Sequence, residues 1–561
     1  MGVDKRRLFW YPLTMFVRVK SSPNSPRQSV QIVENVRVGD KVKQRIVRYV
    51  GIALNDFELE KLKDVAAYII ANLQQEQQQL CLFDERSLGE AIIAARKRKQ
   101  DDSPLPVNLR ELREEARTTV GLHEVYGQVF DDLGFASLFG VRKQASAALL
   151  RDVVMARIAQ PVSKLATSKL LKHSFGKEFD VERIYRMMDH LDDSFIAKLQ
   201  KLTHQHTKQL LGGKVDVCFY DCTTLYFESF DEDELRQKGF SKDHKSQETQ
   251  VLLALLVTRE GLPIGYRLYP GASWEGHTLR HAIKSIEDEV DVGKVTLVAD
   301  AAMFSRENLE ILKDKSFVVA ARIKNLPHSL VKQILNRDGY QRFADQDGYY
   351  WEGEYQGYRL VVTYSPKRAA KDANDRHKAI QKIIKRYHNR PVKQLARNGY
   401  GRYLKLEGEG RLLIDEEKIK KAEAWDGLHG VIANTDLPVE EIREQYRGLW
   451  QVEDTFRLSK HDLRMRPMFH WVERRIRAHV AICFMALSCM RHMMYHCAKR
   501  YRRLSAEVIR RDLMAVQVST LRDQKTNKRY GMPSKAGEHT RKLYSLVGKK
   551  LSVTPFAFDR E

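Results

Sequence analysis

Polar and apolar residues alternate in short runs at the start of the chain. The runs are Met15–Val19, Ser29–Val33 and Lys43–Val50, and turn-forming residues separate them at 22–24 and 39–40. A period of two places apolar side chains on one face of a β-strand. We therefore predict a small β-rich N-terminal domain over residues 1–55. A helix and a charged, proline-bounded linker are predicted over residues 56–107.

The pattern becomes helical from about residue 108 to residue 211. Apolar positions recur at helical spacing in Leu122–Phe139, Ala147–Ile158 and Val181–Leu191, and no strand is predicted to interrupt them. Four lysines in the second half make the region basic: Lys164, Lys169, Lys172 and Lys177. A helical domain of this kind fits DNA recognition, and it equally fits a purely structural helical bundle.

Apolar strands alternate with helices after Gly212-Gly213. The predicted strands are Val215–Tyr220, Gln250–Val257, Leu262–Tyr269, Lys294–Ala299 and Phe317–Ile323, and the predicted helices are Leu279–Glu289 and Arg306–Lys313. This order predicts an α/β core. We divide it into a first part over residues 212–325 and a second part over 436–500. A β-rich insertion over 326–435 separates them, and it contains a basic helix, Ala373–His388. A long buried helix, Val472–Lys499, closes the core, and residues 501–561 form a basic C-terminal region that we expect to be helical.

One predicted helix of the second part carries an unusual polar row. It runs from Tyr446 to Lys460, and Pro438 upstream favours a helix start. Tyr446, Glu453 and Lys460 are spaced seven residues apart, and at about 100° per residue they project from one face. An ordinary surface helix explains one Glu and one Lys equally well, so this row becomes informative only together with other stretches.

Composition and charge restrict the class of protein. The chain has 561 residues, with 96 Lys and Arg against 73 Asp and Glu, a net charge of +23. A basic excess of this size indicates a polyanionic partner, most often nucleic acid. The six cysteines have no zinc-site spacing and suit a reducing compartment. Neither a signal peptide nor an apolar run of about 18 residues is present. We therefore expect a cytoplasmic, nucleoid-associated protein.

Three carboxylates stand where a metal site can form. Asp221 and Asp300 each end a predicted strand, and Glu453 lies on a helix after the last strand. Side chains at strand ends of one sheet can converge, and carboxylate oxygens are the ligands that Mg²⁺ prefers. A pair of such ions can activate an attacking oxygen and stabilise a leaving oxygen at a phosphodiester.

Three segments that contain these residues resemble a known family. Tyr220–Glu228, Ala299–Leu309 and Tyr446–Arg457 are similar to the three catalytic blocks of IS4-type DDE transposases, most of all those of the IS1634 group. The resemblance implies an RNase H-like core, a mixed sheet with flanking helices, interrupted by a β-rich insertion. It implies Mg²⁺, with Mn²⁺ as a substitute. It implies cleavage at terminal inverted repeats of double-stranded DNA and strand transfer to target DNA. It further implies a homodimer or higher oligomer in a synaptic complex, with neither a membrane nor a nucleotide cofactor.

The resemblance also assigns roles to residues. Asp221, Asp300 and Glu453 would be the catalytic metal ligands, and Tyr446 and Lys460 would contact DNA phosphates. The family helix has an arginine where this chain has Leu449, so Arg457, or less favourably Arg447, would have to supply that phosphate contact. Trp450 would either stack on an unpaired base or belong to the core.

Two other functions remain open from the sequence. An RNase H-like nuclease such as a resolvase would use the same carboxylates, although the long insertion and the Tyr446–Lys460 helix argue against it. A catalytically silent DNA-binding remnant would keep the fold without the reaction, and Leu449 is the feature that favours it.

Overall fold

The structure is a computed structural model with two compact units, Met1–Pro104 and Leu105–Glu561. It describes residues 15–22, 25–38, 41–53, 58–60, 62–63, 65–67, 69–70, 107–240, 247–279, 296–344, 347–387, 403–407 and 411–558. The predicted linker before residue 107 and most of the predicted helix Leu279–Glu289 lie outside these residues.

The first unit contains a three-stranded antiparallel sheet in the order β1-β2-β3. Its strands are β1 (Met15–Ser22), β2 (Ser25–Val38) and β3 (Lys41–Ala53). Val30 and Ile32, two residues apart on β2, are fully buried in a small core with Ala66, which lies in the helical residues that follow. Alternation therefore buries one face of β2, which confirms the strands predicted here.

The second unit begins with a strand that was not predicted. This strand is β4 (Leu112–Thr119), and five helices follow it: α1 (Gly121–Asp132), α2 (Gln144–Ala159), α3 (Lys164–Phe175), α4 (Val181–Met188) and α5 (Asp193–Leu210). β4 pairs with Gln517–Asp523 near the C-terminus. The prediction of an uninterrupted helical region is therefore wrong, because pairing with a distant segment overrides the helical preference of Leu-Arg-Glu-Glu-Ala.

The first half of the α/β core follows the predicted order. It contains β5 (Val217–Tyr226), β6 (Gln250–Thr258), β7 (Pro263–Pro270), β8 (Thr296–Ala299), α6 (Arg306–Ile311) and β9 (Phe317–Ala321). All residues of β6 and β9 are buried. Strands covered on both faces are apolar throughout, which is why these runs were recognisable in the sequence.

The next stretch extends the same sheet. It comprises α7 (His328–Leu335), β10 (Gln341–Arg342), β11 (Tyr349–Tyr355), β12 (Tyr358–Tyr364), α8 (Pro366–Tyr387), β13 (Leu404–Glu407), β14 (Arg411–Ile414), α9 (Glu416–Glu423) and β15 (Leu428–Asn434). The central sheet has nine strands in the order β10-β11-β12-β15-β9-β8-β5-β6-β7. β8 pairs in parallel with β5 and β9, and the other pairs are antiparallel. β15, which the predicted insertion includes, is thus a strand of the central sheet.

Helices dominate the rest of the chain, but a second sheet is present. The elements are α10 (Val439–Arg447), α11 (Trp450–Arg457), a π-helix (Leu458–Asp462), α12 (Glu473–Arg500), α13 (Ala506–Met514), β16 (Gln517–Asp523), β17 (Arg529–Pro533), α14 (Thr540–Leu546) and β18 (Phe556–Ala557). The prediction of a helical C-terminal region is wrong in part, since α13 and α14 are present but β16, β17 and β18 join β4 in a four-stranded sheet. Across the described ranges, no helix is both long and apolar enough to cross a membrane.

Alternate residues of β5 enter two different hydrophobic cores. Phe219 and Leu225 pack in the core that also contains the buried residues of α11 and α12. Tyr220 and Cys222 pack in the core on the opposite face, together with residues of α6. Asp221 has the same parity as Phe219, so it projects from the face that α11 covers.

Candidate active site

Asp221 and Asp300 lie side by side on neighbouring parallel strands. Tyr220 of β5 pairs with Ala299 of β8, so each aspartate is the next residue at the same edge of the sheet. Neighbouring strands are about 4.8 Å apart, which places both carboxylates within reach of a common ligand. Asp300 follows β8 directly, as predicted. Asp221 does not end its strand, because residues 222–226 continue β5 by pairing with β6.

Each aspartate accepts a hydrogen bond from the backbone of the residue after it. The Cys222 N–H donates to Asp221 Oδ1 at 2.7 Å, and the Ala301 N–H donates to Asp300 Oδ1 at 2.6 Å. Asp221 is partly buried, whereas Asp300 is exposed. These bonds orient one oxygen of each carboxylate toward its own backbone.

Glycine at position 448 allows the Glu453 helix to approach β5 closely. A Cβ atom on Gly448 would lie 2.3 Å from Cζ of Phe219, which is two residues before Asp221. A side chain at position 448 would therefore force either the buried Phe219 ring or the segment that joins α10 to α11 to shift. Val452 of α11 is fully buried, whereas Glu453 is exposed. The contact at Gly448 thus brings a third carboxylate to the face from which Asp221 projects.

The segment from Tyr446 to Lys460 is not the single α-helix predicted. α10 ends at Arg447, and the next turn is tightened, since the N–H groups of Leu449 and Val452 each donate to a carbonyl three residues earlier. The π-helix that contains Lys460 is wider than an α-helix. The spacing of about 100° per residue does not hold along this segment. Proximity to the site therefore has to be judged from contacts.

The charges of all three carboxylates affect the pKa of Tyr446. Burial raises the pKa of Tyr446, and the negative charges of Asp300, Glu453 and Asp221 raise it further. Tyr446 is therefore a neutral hydrogen-bond donor at neutral pH. The structure thus brings Tyr446 together with the three predicted ligands. Lys460 is partly buried in the π-helix.

His429 is a neighbour of the site that the sequence did not indicate. Its ring centroid lies 4.6 Å from that of Tyr446. Burial lowers the pKa of His429 to about 4, the charge of Arg368 acts in the same direction, and Asp300 opposes both. His429 lies near the start of β15, and no local pattern could have revealed it, because the pairing of β15 with β9 and β12 brings it to this edge.

Neither Arg447 nor Arg457 is a free replacement for the arginine that the family carries at position 449. Leu449 is only 7% exposed and packs in the core. Arg447 Nη1 donates to Glu444 Oε1 at 2.7 Å, and Arg457 Nε donates to Asp454 Oδ1 at 3.2 Å. Both arginines that were expected to substitute are thus engaged with acids of their own helices.

Trp450 is exposed to solvent. It is 45% exposed, and the guanidinium of Arg503 lies 5.5 Å from the centre of its ring. The alternative that Trp450 belongs to the core is therefore wrong. An exposed indole beside an arginine is suited to stacking on a base.

A buried arginine of α12 forms hydrogen bonds and an ion pair with α11. Arg491 of α12 is 6% exposed, and its Nη2 lies 3.0 Å from Asp454 Oδ2 and 3.2 Å from the Gln451 carbonyl oxygen. Nη2 also donates to the hydroxyl of Thr455. These partners surround Glu453 in sequence, so Arg491 holds the turn of α11 that presents Glu453.

The lysines of the helical region are less available to DNA than predicted. Lys164 is 3% exposed, so it cannot contact DNA. Lys172 forms an ion pair with Glu178, and Lys177 Nζ lies 2.5 Å from Asp152 Oδ1. Of the four, only Lys169 is exposed without such a bond in the described part of the chain. Burial of Lys164 follows from its position at the start of α3, facing α12.

The side chains of the site are of the type that binds a divalent ion, but they do not converge on one position. Within the described residues, no three His, Cys, Asp or Glu side chains are arranged closely enough to hold a metal ion. The three carboxylates nonetheless offer hard oxygen donors around Tyr446.

Comparison with protein families gives two matches. Residues 213–489 match the transposase DDE domain, a range that contains all three carboxylates. Residues 17–79 match the N-terminal domain of IS1634 family transposases, a range that covers most of the three-stranded sheet. No curated protein matches the chain.

Proposed function

The chain is an insertion-sequence transposase of the DDE class, in the IS1634 group, and from this premise we propose that Asp221, Asp300 and Glu453 are its catalytic metal ligands. A transposase of this class binds DNA, cleaves it and transfers strands with the help of divalent metal ions. The observation that supports the assignment is geometric: Asp221 and Asp300 are neighbours on β5 and β8, and the close approach at Gly448 sets the Glu453 helix against β5. The parallel pairing of β5 with β8 accounts for the closeness of the two aspartates.

We propose Mg²⁺ as the physiological ion, with Mn²⁺ as a substitute, because all three ligands are carboxylates. When bound, the ions would activate an attacking oxygen and stabilise the leaving oxygen at a phosphodiester. Tyr446, which remains protonated, donates a hydrogen bond to a DNA phosphate, and Lys460 adds positive charge there. Such contacts position the DNA without reading its sequence.

Aromatic stacking and further cations complete the proposed DNA contacts. Trp450 stacks on an unpaired base at the cleaved end, since its indole is exposed. Arg457 and Arg447 bind phosphates only by exchanging their present partners, Asp454 and Glu444, for the DNA. Exposed ion pairs of this kind are weak, so the exchange costs little.

The complete reaction extends beyond this site. We propose that the chain binds the terminal inverted repeats as a homodimer or higher oligomer and joins the 3′ ends to target DNA. The net charge of +23 supports contact with several DNA segments. The RNase H-like core carries the chemistry, the residues between 326 and 435 form the insertion, and the helical region of 108–211 recognises the ends.

A cleavage assay tests the assignment of the site. The substrate is a labelled duplex that contains the DNA flanking the gene on each side, incubated with Mg²⁺, with Mn²⁺ or with EDTA. We expect metal-dependent nicks and joined products with the wild type and none with Asp221→Asn or Glu453→Gln. Glu441→Gln, which removes an exposed acid from the first turn of α10, is expected to behave like the wild type.

The same assay separates the remaining functions. Nicks without joined products would indicate a nuclease such as a resolvase. Binding without nicks in every variant would indicate a silent DNA-binding remnant. Full activity of Glu453→Gln would refute the proposed ligand set. Calorimetric titration with Mn²⁺ in the absence of DNA gives an independent readout, since the same two substitutions are expected to abolish binding.

A further inference from the structure

Every arginine of the helices that carry Tyr446 and Glu453 has a partner in the described part of the chain, and Arg443 Nη2 donates to the Asp347 carbonyl oxygen at 3.3 Å. Leu449 is buried, and Arg447 and Arg457 are held by acids of their own helices. Three carboxylates repel a polyanion unless cations stand nearby. A cation on another element that is not paired with an acid would add a phosphate contact at this edge of the sheet without giving up a partner.

One ridge of α8 leads toward the site. Residues 368, 372 and 376 are spaced four apart, so they form a row along the helix. Arg376 Nη1 and Nη2 donate to both oxygens of Asp426 at 2.6 and 2.8 Å, and Asp372 Oδ2 accepts from the Gly427 N–H at 3.0 Å. The row thus follows the chain from residue 426 onward, and Arg368 comes next, toward His429.

The start of α8 is held in place by backbone and side-chain hydrogen bonds. The Ser365 N–H donates to the Gly427 carbonyl oxygen at 3.0 Å, and Ser365 Oγ accepts from the Arg368 N–H at 3.4 Å. The strand before α8 is also paired here, since Thr363 of β12 lies opposite His429 of β15. The backbone of Arg368 therefore has a defined position beside the site.

The charge of Arg368 reaches the same groups as the carboxylates do. It lowers the pKa of His429 and opposes the effect of Asp300 and Glu453 on Tyr446. Its side chain is exposed, and among the described residues no carboxylate forms an ion pair with it. Arg368 is thus an available cation beside the acids, and the row on α8 accounts for its position.

We propose that Arg368 binds a DNA phosphate next to the bond that is cleaved, as a contact contributed by α8 and not by the Glu453 helix. The proposal rests on the assignment of Asp221, Asp300 and Glu453 as the catalytic site. A guanidinium forms paired hydrogen bonds with phosphate oxygens, which gives both charge and orientation. Arg368 in this way places the phosphate against the three acids.

The test compares Arg368→Ala with Arg368→Lys and with Lys378→Ala. Lys378 is an exposed cation on the same helix, about 15 Å farther along at 1.5 Å per residue, so it controls for the loss of one positive charge. The substrate is the duplex with the flanking DNA, at saturating concentration. We expect Arg368→Ala to lower the cleavage rate about 10- to 100-fold, Arg368→Lys to restore part of it, and Lys378→Ala to retain the wild-type rate.

A modified substrate makes the test specific. Replacing the phosphate at the cleaved position or beside it by a neutral methylphosphonate removes the charge that Arg368 is proposed to bind. We expect this change to weaken wild-type binding of the duplex and to have little further effect in Arg368→Ala. The slope of the logarithm of the binding constant against the logarithm of the salt concentration should also become shallower by about one in Arg368→Ala.

The proposal is overturned if Arg368→Ala cleaves like Lys378→Ala, or if the methylphosphonate weakens binding equally in both proteins. The binding measurements do not require cleavage, so they test Arg368 even when no product forms. Full activity of Glu453→Gln would instead refute the catalytic assignment, and that outcome is read independently of the Arg368 variants.

Discussion

The carboxylate edge of the central sheet is acidic and largely exposed, whereas a group of basic side chains among the helices is mostly buried. At the edge, Asp300 and Glu453 are exposed. Among the helices, four basic side chains lie together, and we call them the Lys164 cluster: Lys164, Arg157, His470 and His479. Lys164 Nζ lies 3.1 Å from His479 Nδ1, and the rings of the two histidines are 5.1 Å apart between centroids.

The two regions deal with like charges in different ways. Water can solvate exposed carboxylates, so Asp300 and Glu453 can remain near one another and attract a metal ion. Burial lowers the pKa of Lys164 to about 7 and that of His470 to about 3. In the described part of the chain no acid forms an ion pair with Lys164. Loss of its proton therefore removes most of the cost of burying its positive charge. The proposed metal-binding role therefore fits the exposure of the acids, whereas the buried bases belong to the packing.

The largest expected effect separates activity from stability at the carboxylate edge. Asp300→Asn should lower the cleavage rate on the order of 10³-fold, because one ligand charge is lost. It should leave the free energy of unfolding unchanged within about 0.5 kcal/mol, since Asp300 is exposed. Cleavage assays and urea unfolding measure the two effects. Glu307→Gln, an exposed acid of α6, is the control. A loss of stability without loss of cleavage would contradict the functional role.

A buried cation that has an acid partner should behave differently from Lys164. Arg491→Met breaks the pair with Asp454 and leaves that carboxylate without its buried partner. We expect the free energy of unfolding to fall by about 3 kcal/mol. Arg457→Met removes the exposed cation from the same carboxylate and should cost at most about 0.5 kcal/mol. Equal losses in the two variants, measured by urea unfolding, would show that burial does not decide the strength of the pair.

The pH dependence of stability tests the Lys164 cluster directly. The pKa of Lys164 is about 7 in the folded protein and 10.5 ordinarily, so the unfolded chain binds more protons between these values. Lys164 therefore makes stability rise with pH from about 7 to 10.5, by up to about 1.4 kcal/mol per pH unit. Lys164→Met should remove this rise, and Lys169→Met, on the exposed side of α3, should retain it. Unfolding at pH 7, 8 and 9 measures the difference. Identical slopes in the two variants would exclude a neutral buried Lys164.

The smallest expected effect concerns the exposed indole beside the site. Trp450→Ala should lower cleavage about tenfold through loss of stacking on a base, with little change in stability, because the side chain is 45% exposed. Trp450→Phe should keep most of the activity, since a smaller ring still stacks. A destabilised Trp450→Ala variant with normal cleavage would instead assign Trp450 to packing.

Periodicity and short motifs in the sequence determined most of the elements and all three proposed ligands. Apolar runs located β6, β8 and β9, because strands buried on both faces leave a continuous local signal. A long apolar run likewise located the helix α12. Asp300 was recognisable because it follows such a strand directly.

Only the tertiary structure decided which distant segments meet. β4 is a strand because β16 lies beside it, and the break after α10 arises where Gly448 meets Phe219. His429 and Arg368 come to the site through the pairing of β15 with β9 and β12. The sequence likewise left open whether Lys164 faces DNA, and packing against α12 buries it. Local patterns report the period of one element, whereas pairing and burial depend on partners far away along the chain.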